Sequence, residues 1–375
     1  MNNLSPVTLI IIVLVLIVLV VGLALFRKLA INGENKRSRP PFKLDRHDLN
    51  PVLSPQAARE WEHNGTFNPA AVRDDDGRVH LLYRALGADG VSRVGHASSP
   101  DGKSFDTRSD YPVYEPVYGA GIPEESEVSG PKTYNPAVYT SGGGWAGSED
   151  PRAVLIDGRV YMTYVAFEGW HSVRIALTSI KLDDLKKGRW NWLRPKLISP
   201  KNQVNKNWII FPEKVNGKFA ILHSIVPKIQ IEYVDSLDLI TPIESPRLQG
   251  PQPGRKGFWD NRVRGAGPPP VRTRLGWLLL YHAQDMAEPH KYKLGAMILD
   301  INDPSKILYR APKPILEPDA HYENDGKPGI VYASGAVMIG ENLMVYYGGG
   351  DKHVCIAETP IESLLDWLVT YGKIG

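Results

Sequence analysis

Residues 7–26 form an unbroken apolar run of twenty positions without a charge, and past residue 46 the pattern changes to short apolar runs broken by glycine turns. The first pattern predicts a membrane-spanning helix, since twenty residues at ~1.5 Å each cover the ~30 Å of a bilayer core. The start, Met1-Asn2-Asn3-Leu4-Ser5-Pro6, has no basic side chain, and Arg27-Lys28 follows the run directly, so it reads as an uncleaved anchor rather than a signal peptide. The second pattern predicts hairpins. Asn68-Pro69-Ala70-Ala71-Val72 leads through Asp76-Gly77 into 79–83, and Asp150-Pro151 leads through Asp157-Gly158 into 161–164. Phe211-Pro212-Glu213-Lys214-Val215 leads through Asn216-Gly217 into 219–223. Gly267-Pro268-Pro269-Pro270-Val271 leads through Leu275-Gly276 into 277–282, and Ser334-Gly335-Ala336-Val337 through Gly340-Glu341-Asn342 into 343–347. The turn glycines lie 81, 59, 59 and 64 residues apart, which gives five units of one propeller blade each. The expected fold class is therefore all-β, a five-bladed β-propeller preceded by one N-terminal transmembrane helix; a β-sandwich with the same spacing is the alternative. Short helices are expected at 55–63, capped by Ser54, and from Pro360, capped by Thr359, with Leu364, Leu365, Trp367 and Leu368 inward.

Charge separates the segments further. Between residues 27 and 46 seven basic side chains face only Glu34 and Asp45, whereas the whole chain is +3, so the remainder carries a small acidic excess. The domains expected are 1–26 as anchor, 27–46 as a basic juxtamembrane linker and 47–375 as the propeller. The basic excess follows the apolar run, which by the positive-inside rule makes this a single-pass membrane protein with its catalytic domain in the cytoplasm. The basic segment reads equally as a contact for anionic lipid or as a solvated charge run. A globular part without basic excess argues against nucleic acid as partner. The single cysteine, Cys355, excludes an internal disulfide framework. No Cys/His spacing suits zinc and no glycine-rich loop suits a nucleotide, so neither metal nor cofactor is expected.

In a propeller the residues just before each hairpin converge on the axis, which would make neighbours of Asn68, Asp150, Lys214 and Ser334. Asp150, in Gly147-Ser148-Glu149-Asp150-Pro151-Arg152, is the candidate for chemistry; the plainer reading is a solvated strand end with Arg152 as ion-pair partner. The long stretches 119–147 and 250–260 are candidate rim loops, with Phe258 and Trp259 able to stack on a sugar ring.

Several motifs in order carry a resemblance. Gly65-Thr66-Phe67-Asn68-Pro69-Ala70, Tyr83-Arg84-Ala85, Glu149-Asp150-Pro151-Arg152, Phe211-Pro212-Glu213-Lys214, Gly265-Ala266-Gly267-Pro268-Pro269-Pro270 and Tyr346-Tyr347-Gly348-Gly349-Gly350-Asp351 resemble glycoside hydrolase family 130, the β-mannoside phosphorylases and related β-mannosidases. The similarity runs from about residue 49 to 368. It implies a five-bladed propeller with one catalytic acid, Asp150, that protonates the glycosidic oxygen through the mannose 3-hydroxyl. It implies substrate-binding roles for Asn68, Arg84 and Asp351, and phosphate-binding roles for Arg174, Lys206 and His223. The second carboxylate of the pocket is expected to raise the acid's pKa. The chain departs from many family phosphorylases at Lys206-Asn207-Trp208, where they read Lys-Asp, which leaves the acceptor open.

The expected reaction is inverting phosphorolysis of a β-mannoside oligosaccharide or glycoconjugate, with inorganic phosphate as co-substrate and α-mannose 1-phosphate as product. Two alternatives stand beside it. One is a β-mannosidase in which Glu213, Glu317 or Glu323 activates water; the other is a glycan-binding propeller without catalysis.

Overall fold

The computed structural model describes residues 19–23, 40–115, 142–168, 172–201, 203–243 and 252–374. The chain divides into two compact units, Met1–Pro41 and Phe42–Gly375. The second is built from five antiparallel blades. In the first blade Gly65–Arg73, Val79–Leu86 and Val91–Ser99 pair in order, with Thr107–Arg108 at the outer edge. The second follows the same plan with Ala146–Ile156, Arg159–Glu168, Ser172–Lys181 and Lys196–Leu197. A short parallel pairing of Val91 and Ser92 with Ala146 and Gly147 joins these two blades into one sheet. The third is the smallest: Ile209–Ile210, Phe219–Ser224 and Gln230–Val234. In the fourth, Arg262–Ala266 and Val271–Thr273 share the partner Gly276–Gln284, followed by Lys293–Leu299 and Ile307–Arg310. The fifth comprises Val331–Ile339, Asn342–Gly349 and His353–Pro360, and its outer strand is Asp45–Arg46 from the start of the unit. Each blade packs against the next and the fifth against the first, so the ring closes.

The turns work as their sequences predict. Asp157 and Gly158 have φ of 49° and 72°, and Asn216 and Gly217 have 50° and 82°; left-handed backbone at both central residues matches the twist of a two-residue hairpin. The core follows from the ring. Blade sheets are buried on both faces, and five apolar clusters form, one between each neighbouring pair of blades. Leu81, Tyr83, Met344 and Tyr346 mark the seam between first and fifth; Leu82, Val94, Met162 and Ala176 mark the next. Val165, Ile175, Trp208 and Ile221, then Phe211, Leu222, Trp277 and Leu279, then Leu280, Leu294, Val345 and Tyr347 mark the remaining three. Each buried Leu, Ile, Val, Met or Phe among them contributes about 1.5–3 kcal/mol by leaving water.

The C-terminal helix Ile361–Tyr371 buries Leu364, Leu365, Trp367 and Leu368, and its N-cap is Pro360 rather than Thr359. The helix expected at 55–63 contracts to one 3-10 turn, Glu60–Glu62, because buried Glu62 is tied to Arg108 (2.6 Å) and Tyr83 (2.9 Å). A short helix at Leu182–Lys186 has no counterpart among the expectations.

The expected membrane anchor is corrected. Among the described residues no helix is long and apolar enough to cross a membrane. Of the span 7–26, residues 19–23 are described and are helical; the remainder of that span, like 27–39 of the basic segment, lies outside the described residues. Among the described residues the fold is all-β without a transmembrane element, so the expected anchor, and with it the single-pass placement with a cytoplasmic catalytic domain, is not supported. The linker expected to end at Arg46 also gives way earlier: Leu44 is buried in the core, and Arg46 holds buried Glu323 from Nε and Nη2 at 2.8 and 2.9 Å.

Candidate active site

The inner strands of four blades are irregular at equivalent heights. Their registers shift between Phe67 and Ala70, Glu149 and Arg152, Val263 and Gly265, and Ala333 and Gly335. In the first two the extra residues are Asn68-Pro69 and Asp150-Pro151. Proline cannot donate to the ladder, so pairing breaks there, and the bulge re-aims the preceding side chain. Asn68 and Asp150 both have φ of 48°, a left-handed conformation that Asn and Asp tolerate. Across 82 positions of sequence, Asn68 Nδ2 donates to Asp150 Oδ1 at 2.7 Å. Gly348 makes room for this pair, since a Cβ there would lie 2.2 Å from Asn68 Oδ1.

Successive residues of a regular strand face opposite sides. The bulge instead sets Glu149 and Asp150 against one guanidinium. Arg84 Nη2 donates to Glu149 Oε1 at 2.9 Å and Nη1 to Asp150 Oδ1 at 3.2 Å, while Nε donates to Ser92 Oγ at 2.9 Å. Asp351, also left-handed (φ 50°), lies within electrostatic reach of Arg84 and Asp150, with Lys327 Nζ 3.6 Å from its carboxylate. The structure thus gathers Asp150, Asn68, Arg84 and Asp351.

The two aspartates are driven apart electrostatically. Burial raises the Asp150 carboxyl, but Arg84, Lys206 and Arg152, with the bond from Asn68, outweigh it and hold the group below the ordinary carboxylate range. Asp351 moves the other way: burial raises it, and the charge of Asp150 adds to that against the pull of Lys327 and Arg84. The expected upward shift of Asp150 is therefore reversed, because three cations surround it.

Lys206 joins the cluster through Glu149, its Nζ lying 3.3 Å from Glu149 Oε2. Arg174 donates from Nε to Ser199 O at 3.1 Å, and His223 packs its ring 5.4 Å from that of Trp208. Ser199, Lys206 and Trp208 belong to the connection from the second blade to the third; Lys206 lies on it, while Arg174 and His223 sit on the flanking blades and each touch it.

Other expectations are revised. Lys214 is exposed and lies against the Phe219 ring instead of the axis; the third inner strand is two residues long, and Asn207, just before it, reaches the centre. Trp259 is a core residue stacked on Tyr281, and Phe258 lies under Arg255. Ser334 occupies the bulge of the fifth inner strand and is fully buried. Residues 119–141 of the candidate rim loop lie outside the described residues.

The sequence pattern gives no site role to Asn207 or Tyr332, and to Arg152 only that of an ion-pair partner. Arg152 donates from Nε to Gly267 O (2.9 Å), from Nη1 to Asp150 O (2.9 Å), and from Nη2 to Asn207 Oδ1 (2.9 Å) and the Tyr332 hydroxyl (3.1 Å). One guanidinium thereby bonds the second, fourth and fifth blades and the residue that opens the third. Tyr332 donates to Asn207 Oδ1 at 2.5 Å and stacks on buried His282 with centroids 4.0 Å apart.

Residues 43–370 match the family model described as beta-1,4-mannooligosaccharide phosphorylase, glycoside hydrolase family 130. The chain belongs to family 130. It is 36% identical over 326 residues to the 1,2-beta-oligomannan phosphorylase of Thermoanaerobacter sp. (strain X514), covering 84% of this chain and 97% of that one. A beta-1,2-mannobiose phosphorylase of the same organism is 34% identical, with the same coverage. Among solved structures, the beta-1,2-mannobiose phosphorylase of Listeria innocua in complex with beta-1,2-mannobiose superposes with a TM-score of 0.66 at 25% identity, over 87% of this chain and 99% of that one. A further structure comes from work describing family 130 glycoside hydrolases that target β-1,2 mannosidic linkages in Candida mannan; it has a TM-score of 0.68 at 25% identity, over 87% and 96%. The expected enzyme class, a glycosyltransferase-type mannoside phosphorylase, is the class of the named sequence relatives.

Proposed function

We propose that this family 130 chain is an inverting β-mannoside phosphorylase with Asp150 as general acid. Asn68, Arg84 and Asp351 hold the mannose, and Arg174, Lys206 and His223 hold phosphate. A phosphate oxygen attacks the anomeric carbon from the face opposite the leaving group. The bond to the glycosidic oxygen breaks, and the proton from Asp150 reaches that oxygen by way of the mannose 3-hydroxyl. Inversion of the β-linkage yields α-mannose 1-phosphate.

One observation favours this reading over hydrolysis: the three candidates for activating water, Glu213, Glu317 and Glu323, are each engaged by other partners. An inverting hydrolase needs a second carboxylate ~6.5–9.5 Å from its acid. Glu213 is bound to Arg272 on the surface, and Glu317 Oε2 lies 2.9 Å from Lys293 Nζ. Glu323 accepts from Arg46, from the Tyr347 hydroxyl (2.8 Å) and from the Ala320 amide (2.8 Å). The side chain of the second-to-third connection whose charge acts on the acid is instead a cation, Lys206, suited to an anionic nucleophile. A phosphate dianion beside Lys206 would offset that positive charge and return Asp150 toward protonation, as an acid requires.

The relatives above 30% identity are named for β-1,2 linkages, so β-1,2-linked mannosides are the first substrates to assay. The chain is incubated with them with and without inorganic phosphate. Mannose 1-phosphate formed only with phosphate is the expected result; free mannose at equal rates in both would overturn phosphorolysis, and neither product would favour the non-catalytic reading.

A further inference from the structure

Glu149 is fully buried, and its two oxygens grip different cations: Oε1 takes Arg84 at 2.9 Å and Oε2 takes Lys206 at 3.3 Å. These cations come from unlike places. Arg84 sits within strand Val79–Leu86 with its side chain 2% exposed, whereas Lys206 rides on a connection and is 25% exposed. Only the bulge at Asp150-Pro151 brings Glu149 to the same guanidinium as Asp150.

We propose that Glu149 is a positioning residue that couples the sugar-binding and phosphate-binding halves of the site by holding Arg84 and Lys206 on one carboxylate. The inference rests on the assignment of Arg84 to mannose and Lys206 to phosphate. A lysine side chain carries about 2 kcal/mol of rotamer entropy, and its ion pair with Glu149 removes only part of that for Lys206, which is a quarter exposed. A sugar that bonds Arg84 restrains Glu149 and, through it, Lys206 further than the ion pairs alone, so phosphate then meets a more ordered partner; the reverse order gives the same gain, and binding is positively cooperative. Glutamine at this position keeps an acceptor for Arg84 but turns a donor amide toward the Lys206 ammonium. Aspartate keeps the charge but, one methylene shorter, spans to one cation only.

The test is calorimetric titration of the whole chain with inorganic phosphate, in the presence and absence of saturating mannose. In the unsubstituted protein mannose should tighten phosphate binding about fivefold or more. In Glu149→Gln and Glu149→Asp both ligands should still bind, with that factor reduced to near one. Retention of the factor in folded variants, or independent binding in the unsubstituted protein, would overturn the coupling. Should Glu149→Gln fail to fold, Glu149→Asp decides alone. Failure of the unsubstituted protein to bind either ligand would instead overturn the functional assignment, and the coupling with it.

Discussion

Arg152 Nη2 donates to Asn207 Oδ1 at 2.9 Å, bonding the catalytic candidate's own strand to the start of the third blade. With Gly267 O and the Tyr332 hydroxyl on the same guanidinium, the axis of the propeller is pinned by one buried side chain. Its planar fork makes this possible, and an ammonium cannot reproduce it. Arg152→Lys should therefore leave buried acceptors unsatisfied, at about 1–3 kcal/mol each, and lower the unfolding free energy by about 2–5 kcal/mol. Denaturant titration measures this; a change within 0.5 kcal/mol, roughly the ordinary surface range, would refute the pin.

Asp150→Asn preserves shape, left-handed tolerance and an acceptor for Asn68 while removing the transferable proton. Phosphorolysis should slow by ~10²–10⁴ while mannose binding survives. Near-normal turnover on an unactivated mannoside would show that another group is the acid.

Much of this site was readable from local sequence, and what was missed has a common cause. Asx-Pro pairs at the heads of two hairpins placed Asn68 and Asp150 at equivalent positions, because a proline-broken ladder and a ring of blades dictate where those side chains go. The same reasoning misplaced Lys214: Phe211-Pro212 imitates the pattern, but the third inner strand is two residues long and its pairing with Phe219–Ser224 begins at Ile209. Glu149, Asn207 and Tyr332 acquire their roles only through hydrogen-bond partners 55 to 180 positions away, which no local period encodes. The one available signal was Glu149-Asp150-Pro151 itself, since a bulge lets neighbours share a face. The apolar run at 7–26 shows the opposite limit: composition predicted a helix across a membrane, and no described helix has that length.

Two buried histidines predict an acid-sensitive fold. Burial, with His80 beside it, pushes His96 down to about 3; burial, with Arg152 nearby, does the same to His282. An unfolded histidine titrates near 6.5, so between about pH 6.5 and 3 the unfolded chain binds more protons than the folded one. Stability is then complete above about 6.5 and falls as pH drops, by about 1.4 kcal/mol per pH unit for each histidine. His282→Phe keeps the stack on Tyr332 and should flatten the slope of unfolding free energy against pH by one histidine's share. An unchanged slope would mean that His282 does not titrate in this way.

Asp351 predicts a conflict between stability and binding. Its carboxyl is raised by burial and by Asp150, and only partly relieved by Lys327 at 3.6 Å and by Arg84. A raised carboxyl binds more protons folded than unfolded, so its stability contribution is whole below the unfolded value of about 3.9 and is lost as pH rises through the folded one. At neutral pH the ionised group is a net cost to the fold. Asp351→Asn removes that charge, and Asn accepts the left-handed φ of 50°. The variant should melt higher than the unsubstituted protein at pH 7, with a smaller gain at pH 4, where more of the raised native carboxyl is protonated. The same change removes a charged hydrogen-bond partner for sugar hydroxyls, a loss of about 1.5–3 kcal/mol, so mannose should bind about 10- to 100-fold more weakly. Thermal melts at the two pH values, beside mannose titrations, test both halves. A variant that melts lower at pH 7 than at pH 4 relative to the unsubstituted protein would show that the ionised carboxylate stabilises the fold, and unchanged mannose affinity would remove Asp351 from the sugar site.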